Sequence, residues 1–389
     1  MRFKSLIICI LTATLSGCYR YMPTDPQEFP ILSWGGIPAD KADTLFRLAK
    51  ECGFNMHLGL YRAPESLLIS LDAAQREGIK MIAGHPYIKD STEQAVAALK
   101  HHPALFAYHL KDEPEIADFP WLKSLYDRVT HLDTTHPCYI NLYPNWAWGE
   151  EQYVENIEAF ASQFDLPFYS FDNYPIVEKD GKIEVRPEWY RNLEEFSMVA
   201  QRYHKPFWGF VLATSHSTGD LSSLTFYPSP TLGHIRMQVF SNLLYGAQGI
   251  QYFTYAGIVD VNSIAKKEQF DIIRKVNAEI KAYSPVFLGC EVQGVWHIGD
   301  HIPSNTVELQ SMPDKKVRKL SVSGKGGVVS LIRNKRKTYL AIQNRDCEHS
   351  ATLDIVFDSE VELFTPDGVV VYDGNSISLD PGNIVVFKL

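Results

Sequence analysis

Eight times between Pro30 and Tyr283 the chain follows a short apolar run with a longer segment of helical periodicity. The strand-like runs are Pro30–Trp34, Phe54–Leu60, Ile79–Gly84, Leu105–Leu110, Cys138–Leu142, Phe168–Phe171, Phe207–Leu212 and Ile250–Thr254. The helical segments behind them are Asp40–Cys52, Pro64–Glu77, Ser91–His102, Pro120–Leu132, Glu150–Phe164, Pro187–Tyr203, Pro230–Tyr245 and Lys266–Tyr283. Strand followed by helix calls for parallel pairing through right-handed crossovers. Eight such units over ~250 residues are the content of a (β/α)₈ barrel. An open doubly wound sheet is the alternative, but no G-x-G-x-x-G follows the first strand and eight units favour closure. The predicted fold class is α/β, with a TIM barrel over residues 29–287.

Beyond Pro285 the texture changes. Short strand-like runs (Val292–Ile298, Val317–Val322, Gly327–Ile332, Thr338–Gln343, Thr352–Phe357, Val361–Phe364, Val369–Tyr372, Ile384–Lys388) alternate with turn formers such as Pro366-Asp367-Gly368 and Asp380-Pro381-Gly382. Residues 288–389 therefore read as a small antiparallel β-sandwich. It is expected to be a fixed accessory domain, since a single tryptophan, Trp296, offers little for carbohydrate binding.

The start of the chain reads as an address. Arg2 and Lys4 precede the apolar run Ser5–Leu15, which is too short to span a bilayer. The run ends in Leu15-Ser16-Gly17-Cys18, which resembles the bacterial lipobox. That resemblance implies removal of residues 1–17, a lipidated Cys18, a linker over 18–28, and a membrane-anchored protein of the bacterial cell envelope, periplasmic or surface-facing. Cys52, Cys138, Cys290 and Cys347 are far apart and lack metal spacing such as C-x-x-C; an oxidising compartment permits disulfides, yet Cys52 and Cys138 lie in or beside apolar stretches and read as buried thiols.

A barrel of this kind carries its chemistry at the carboxyl ends of its strands. His57 and Tyr61 follow the second strand, and His85 and Tyr87 the third. His109-Leu110-Lys111-Asp112-Glu113-Pro114 closes the fourth. Asn141, Tyr143, Asn145, Trp146 and Trp148 follow the fifth, and Asp172-Asn173-Tyr174-Pro175 the sixth. Thr214, Ser215 and His216 follow the seventh, with Tyr252 and Tyr255 near the eighth. Carboxylates move protons, amides bond hydroxyls, and aromatic faces cover the C–H surfaces of sugar rings. The candidate catalytic pair is Glu113 and Asp172. Candidate substrate-binding residues are His57, His85, His109, Asp112, Asn141, Tyr143, Trp146, Asn173, Tyr174, His216, Tyr252 and Tyr255. A metal site on His57, His85 and His109 would need H-x-H or H-E-x-x-H spacing, which is absent, so neither metal nor cofactor is expected. With 37 basic against 46 acidic residues the formal charge is −9, which argues against nucleic acid as a partner.

Residues 29–287 resemble the clan A glycoside hydrolases, closest in flavour to glycoside hydrolase family 42-like bacterial lipoproteins. The resemblance rests on Ala107–Pro114, Tyr169–Pro175, Lys205–Trp208 and Gly246–Phe253. It implies that Glu113 is the general acid/base and that the partner is an oligosaccharide or polysaccharide. Two departures stand out. Asp112 occupies the place where the clan has an asparagine. The seventh strand runs into Gly209-Phe210-Val211-Leu212-Ala213-Thr214-Ser215-His216 with no carboxylate before Asp220, so the clan's nucleophilic glutamate is missing. Asp172, alone or with His216, is the expected substitute. A catalytically degenerate barrel that binds carbohydrate, or assists an envelope glycan-utilisation complex, is the rival expectation.

Overall fold

The computed structural model describes residues 28–219 and 224–389. The proposed signal segment, Cys18 and Asp220 lie outside the described residues. Eight parallel strands close into a ring: β1 (Ile31–Trp34), β2 (Met56–Leu60), β3 (Lys80–Gly84), β4 (Leu105–Asp112), β5 (Cys138–Leu142), β6 (Tyr169–Phe171), β7 (Phe207–Leu212) and β8 (Gly249–Phe253). Pairing of Ile31 with Ile250 joins the last strand to the first. The outer helices are α1 (Ala42–Glu51), α2 (Pro64–Arg76), α3 (Thr92–Leu99), α4 (Phe119–Leu132), α5 (Tyr153–Ala161), α6 (Glu188–Arg202), α7 (Leu232–Leu244) and α8 (Gln269–Phe287). The expectation of a closed barrel over an open sheet is met.

Alternation along each strand separates two cores. Leu32, Met56, Leu58, Ile82, Phe106, Tyr139, Phe168, Trp208 and Phe210 fill the barrel. Their neighbours in sequence, such as Ile31, Met81, Tyr169 and Ile250, pack outward against the helices. Trp208 stacks on Phe168 at 3.9 Å between ring centroids and makes an aromatic plug. Gly249 leaves room for it: a Cβ there would lie 2.5 Å from the Trp208 ring.

Residues 291–388 form the antiparallel sandwich, a six-stranded sheet facing a three-stranded one. The strand Ser376–Leu379 belongs to the smaller sheet and is absent from the sequence reading. One apolar cluster runs without a break from the barrel helices to Val328, Ile332, Ala341 and Val386 of the sandwich. Polar groups lock the same joint. Ser330 Oγ donates to the Leu244 carbonyl at 2.8 Å, Gln343 Nε2 to that of Met237 at 3.1 Å, and Asn334 Nδ2 to that of Leu288 at 2.8 Å. Arg236 of α7 is held by Glu279 of α8, Nε to Oε2 at 3.0 Å, with Asp380 of the sandwich 3.4 Å from Nη1. Arg236 and Glu279 are both buried.

Two excursions from the carboxyl end of the barrel make a sheet of their own. A hairpin after β6 (Ile176–Lys179 and Lys182–Val185) pairs with strands after β7 (His216–Thr218 and Thr225–Tyr227). Asp180-Gly181 turns the first hairpin with φ of 51° and 72°, a primed-turn geometry that Asp-Gly favours. The amino ends of the strands, with Glu28 leading into β1, lie at the opposite end of the barrel.

Candidate active site

The fourth strand is irregular where it matters. Its register against β5 shifts between His109 and Lys111. Such a bulge re-aims the side chains that follow it. Asp112 is the last residue of β4, and Glu113 continues it in the left-handed region at φ 47°, anchored by its N–H on the Asn141 carbonyl at 2.9 Å. A non-glycine residue there costs about 1–2 kcal/mol. That strain falls on the residue expected to be the acid.

Glu113 and Asp172 are brought close enough to act on each other's ionisation, although β4 and β6 are separated by β5. Asp172 is buried, at 8% exposure, and Glu113 is half-buried. Burial first, and then the neighbouring carboxylates, push both acids up: Asp172 well above its usual range and Glu113 up to about 7, Asp112 being Glu113's chief charged neighbour. Two neighbouring buried carboxyls cannot both ionise cheaply, so both hold their protons above the ordinary carboxylate range. Asp172 and Glu113 thus stand together as two raised acids at the carboxyl end of the barrel.

Asp112 is also raised, chiefly by burial. The amide of Asn141 donates to Asp112 at 3.2 Å and also tempers the rise in the Asp172 pKa. That amide is oriented from below. Tyr139 OH donates to Gln251 Oε1 (2.6 Å), Gln251 Nε2 to Ser170 Oγ (2.8 Å), and Ser170 Oγ to Asn141 Oδ1 (2.8 Å). Donors run one way through three strands, β5, β8 and β6, and back to β5, which fixes the Asn141 NH₂ toward the acids.

The remaining candidates divide. His109 faces the cleft between Trp34 and Tyr139, both 5.9 Å away, and burial pushes it down to about 4. Tyr143 lies near Glu113, and burial with the carboxylates raises its phenol to about 12. Tyr174 feels Asp172, Asp112 and Glu113, is raised well above its usual range, and meets His216 edge-on at 5.9 Å. His216 lies flat on Tyr227 at 4.5 Å, and its Nδ1 has no protein partner. His85 caps the short helix Pro86–Asp90 by accepting from Tyr87 N–H at 2.9 Å.

Five expectations change. His57 is fully buried, bonded to Ser33 Oγ at 2.9 Å and packed against Phe46 and Tyr255, so it lies between sheet and helices. Tyr252 packs outward on Phe54, and Tyr255 donates to the Leu45 carbonyl at 2.6 Å. All three residues are outside the cleft because they sit on the outward parity of their strands or behind them. Asn173 is spent on structure: its Nδ2 donates to Asn192 Oδ1 at 2.8 Å and its Oδ1 accepts from Trp146 Nε1 at 3.4 Å. Trp146 is 36% exposed, but Arg186 covers one of its faces at 4.5 Å, so it does not offer both faces to a sugar. His57, His85 and His109 do not meet at a point, and the described residues place no metal-ligand cluster at the cleft.

Several contributors are missing from the sequence reading: Trp34, Tyr139, Ser170, Gln251, Arg186 and Tyr227. The first four had a signal, the inward parity of their strands.

No family model matches this chain, and no curated protein matches it. Solved structures do. A glycoside hydrolase superposes with a TM-score of 0.56 at 12% identity, covering 93% of this chain and 92% of its own. A glycoside hydrolase family 5 protein from Bacteroides vulgatus ATCC 8482 gives 0.56 at 11%, covering 93% and 88%. At such identity the likeness is one of fold, a closed parallel barrel followed by antiparallel β-sheets.

Proposed function

We propose that this chain is a glycoside hydrolase acting on glycans in the bacterial envelope, with Glu113 as general acid. What supports this reading is the placement of Glu113 beside the buried Asp172 at the carboxyl end of the barrel, where burial and like charge raise both acids, in a fold resembling that of glycoside hydrolases. A general acid must be protonated at working pH, which for a carboxyl requires burial and like charge nearby. Glu113 would give its proton to the leaving glycosidic oxygen. Asp172, itself raised well above its usual range, would keep its own proton and so add no second negative charge beside the carboxylate that Glu113 becomes. His216, kept neutral because burial lowers its pKa, is the group proposed to receive a proton from water on the β7 side.

The pH profile carries the sign of this assignment. Activity should be present below about pH 7 and fall as pH rises through the loss of the Glu113 proton. Asp112→Asn removes a like charge, so the alkaline limb should move to lower pH. An unmoved limb in that variant, measured as kcat/KM against pH, would separate Asp112 from the ionisation that matters.

A carbohydrate-binding barrel without turnover is the second reading. It is favoured by the absence of a carboxylate on β7 among the described residues. Assay of a glycan panel decides between them: saturable binding with no product supports the second.

The lipid anchor at Cys18 remains part of the proposal, resting on Leu15-Ser16-Gly17-Cys18. Cys18→Ser should move the protein from the membrane fraction to the soluble one. A variant that still sediments with membranes as wild type does would remove the anchor.

A further inference from the structure

Arg186 has no role in the chemistry above, yet it is built into the mouth of the cleft. It follows the hairpin after β6. Its guanidinium lies over the Trp146 ring at 4.5 Å and near the Tyr227 ring at 5.7 Å, and its Nη2 donates to Tyr227 OH at 3.1 Å. Its backbone N–H is fixed on the Pro175 carbonyl at 2.7 Å. The two rings come from different excursions, one after β5 and one after β7, so the fork is oriented from two sides. Both link it to the acids. Trp146 bonds Asn173, the neighbour of Asp172, and Tyr227 meets Tyr174 edge-on at 6.2 Å.

What is unusual is its charge balance. The other well-held guanidinium groups of the barrel have acids: Arg191 has Glu150 and Glu195, and Arg236 has Glu279 and Asp380. Arg186 is half-buried with no carboxylate partner among the described residues, and its Nε is enclosed without an acceptor. A partly desolvated cation of fixed geometry is costly unless an anion completes it. Guanidinium suits planar, two-oxygen anions best. In an acidic chain a bound anion would be steered to such a fixed, unpaired cation.

We propose that Arg186, seated on Trp146, is a subsite for an anionic sugar, recognising the carboxylate of a uronic acid at the rim of the cleft. This deepens the glycoside hydrolase reading by naming a substrate class and rests on that reading for its biological sense. The binding claim is tested without turnover.

The probes are glucuronate and galacturonate against glucose and galactose, titrated while the tryptophan emission is followed, because the anion would sit beside the Trp146 indole. Wild type should bind a uronate about tenfold or more tightly than its neutral sugar, as a charge-assisted pair would give. The preference should shrink as salt is raised. Arg186→Gln should abolish it, Arg186→Lys should keep part of it, and thermal melts of both should confirm folding. Glucose 6-sulfate provides a second anion: binding it as tightly as glucuronate would assign the subsite to anions generally and overturn the uronate claim. The proposal is also overturned by equal affinity of wild type for charged and neutral sugars, including no affinity for either, and by a preference that survives in Arg186→Gln. The hydrolase reading fails separately, by undiminished turnover in Glu113→Gln, which leaves the uronate preference where it is.

Discussion

Glu113→Gln should cut turnover on a glycoside with a poor leaving group by ~10²–10⁴-fold, the usual worth of a positioned general acid. The loss should be far smaller on an activated aryl glycoside, whose leaving oxygen needs little protonation. The same variant should be more stable than wild type, and the sign is set by the raised pKa. Below about pH 4.5 the carboxyl is protonated in both folded and unfolded chains, so the two proteins should melt alike. As pH rises toward 7 the unfolded chain releases that proton while the fold still holds it, and wild type loses stability. Glutamine has no proton to lose, so its advantage should grow over that interval to the order of 2 kcal/mol. Equal turnover on a natural glycan would remove Glu113 from the mechanism. Equal melting at pH 7 would mean the acid is not held as described.

The second large effect concerns the joint. Glu279→Ala strands the Arg236 guanidinium in a site where both partners are buried, and breaking such a pair costs about 3–5 kcal/mol. Because Arg236 also reaches Asp380 of the sandwich, barrel and sandwich should lose stability together in one transition. Replacing both residues by apolar ones of similar volume should recover most of the loss. Two well-separated melting transitions in the wild type would contradict a common core. A drop below about 1 kcal/mol in Glu279→Ala would show the pair to be solvated.

Much of this was legible beforehand, and for a physical reason. A buried parallel strand leaves an apolar run and an amphipathic helix leaves a 3.6-residue rhythm, so the eight units stood out of the chain. The acid pair was legible too, because charged groups after an apolar strand have few other uses. Strand parity was available and unused: Met56 and Leu58 face inward, so His57 cannot, and Gln251 faces inward, so Tyr252 cannot. The close approach of Glu113 and Asp172 was not legible. It depends on the β4 bulge and on Glu113 entering the left-handed region, and neither leaves a mark in residue types. The excursion sheet left one mark, Asp180-Gly181, but its pairing across two loops is a long-range event that no local pattern encodes.

The ring also has a direction. Glu28 enters β1 at the end of the barrel opposite the acids. On the proposed anchor, the ten steps from Cys18 to Glu28 span at most roughly 35 Å of fully stretched chain. The bilayer would thus hold the protein by its closed end, and the acids would look outward, away from the lipid headgroups. A polymer too large to slip between protein and membrane would still reach them. Vesicle-held wild type and soluble Cys18→Ser should then degrade a long glycan at the same rate per molecule, so that tethering sets where the enzyme works without narrowing what it can take in.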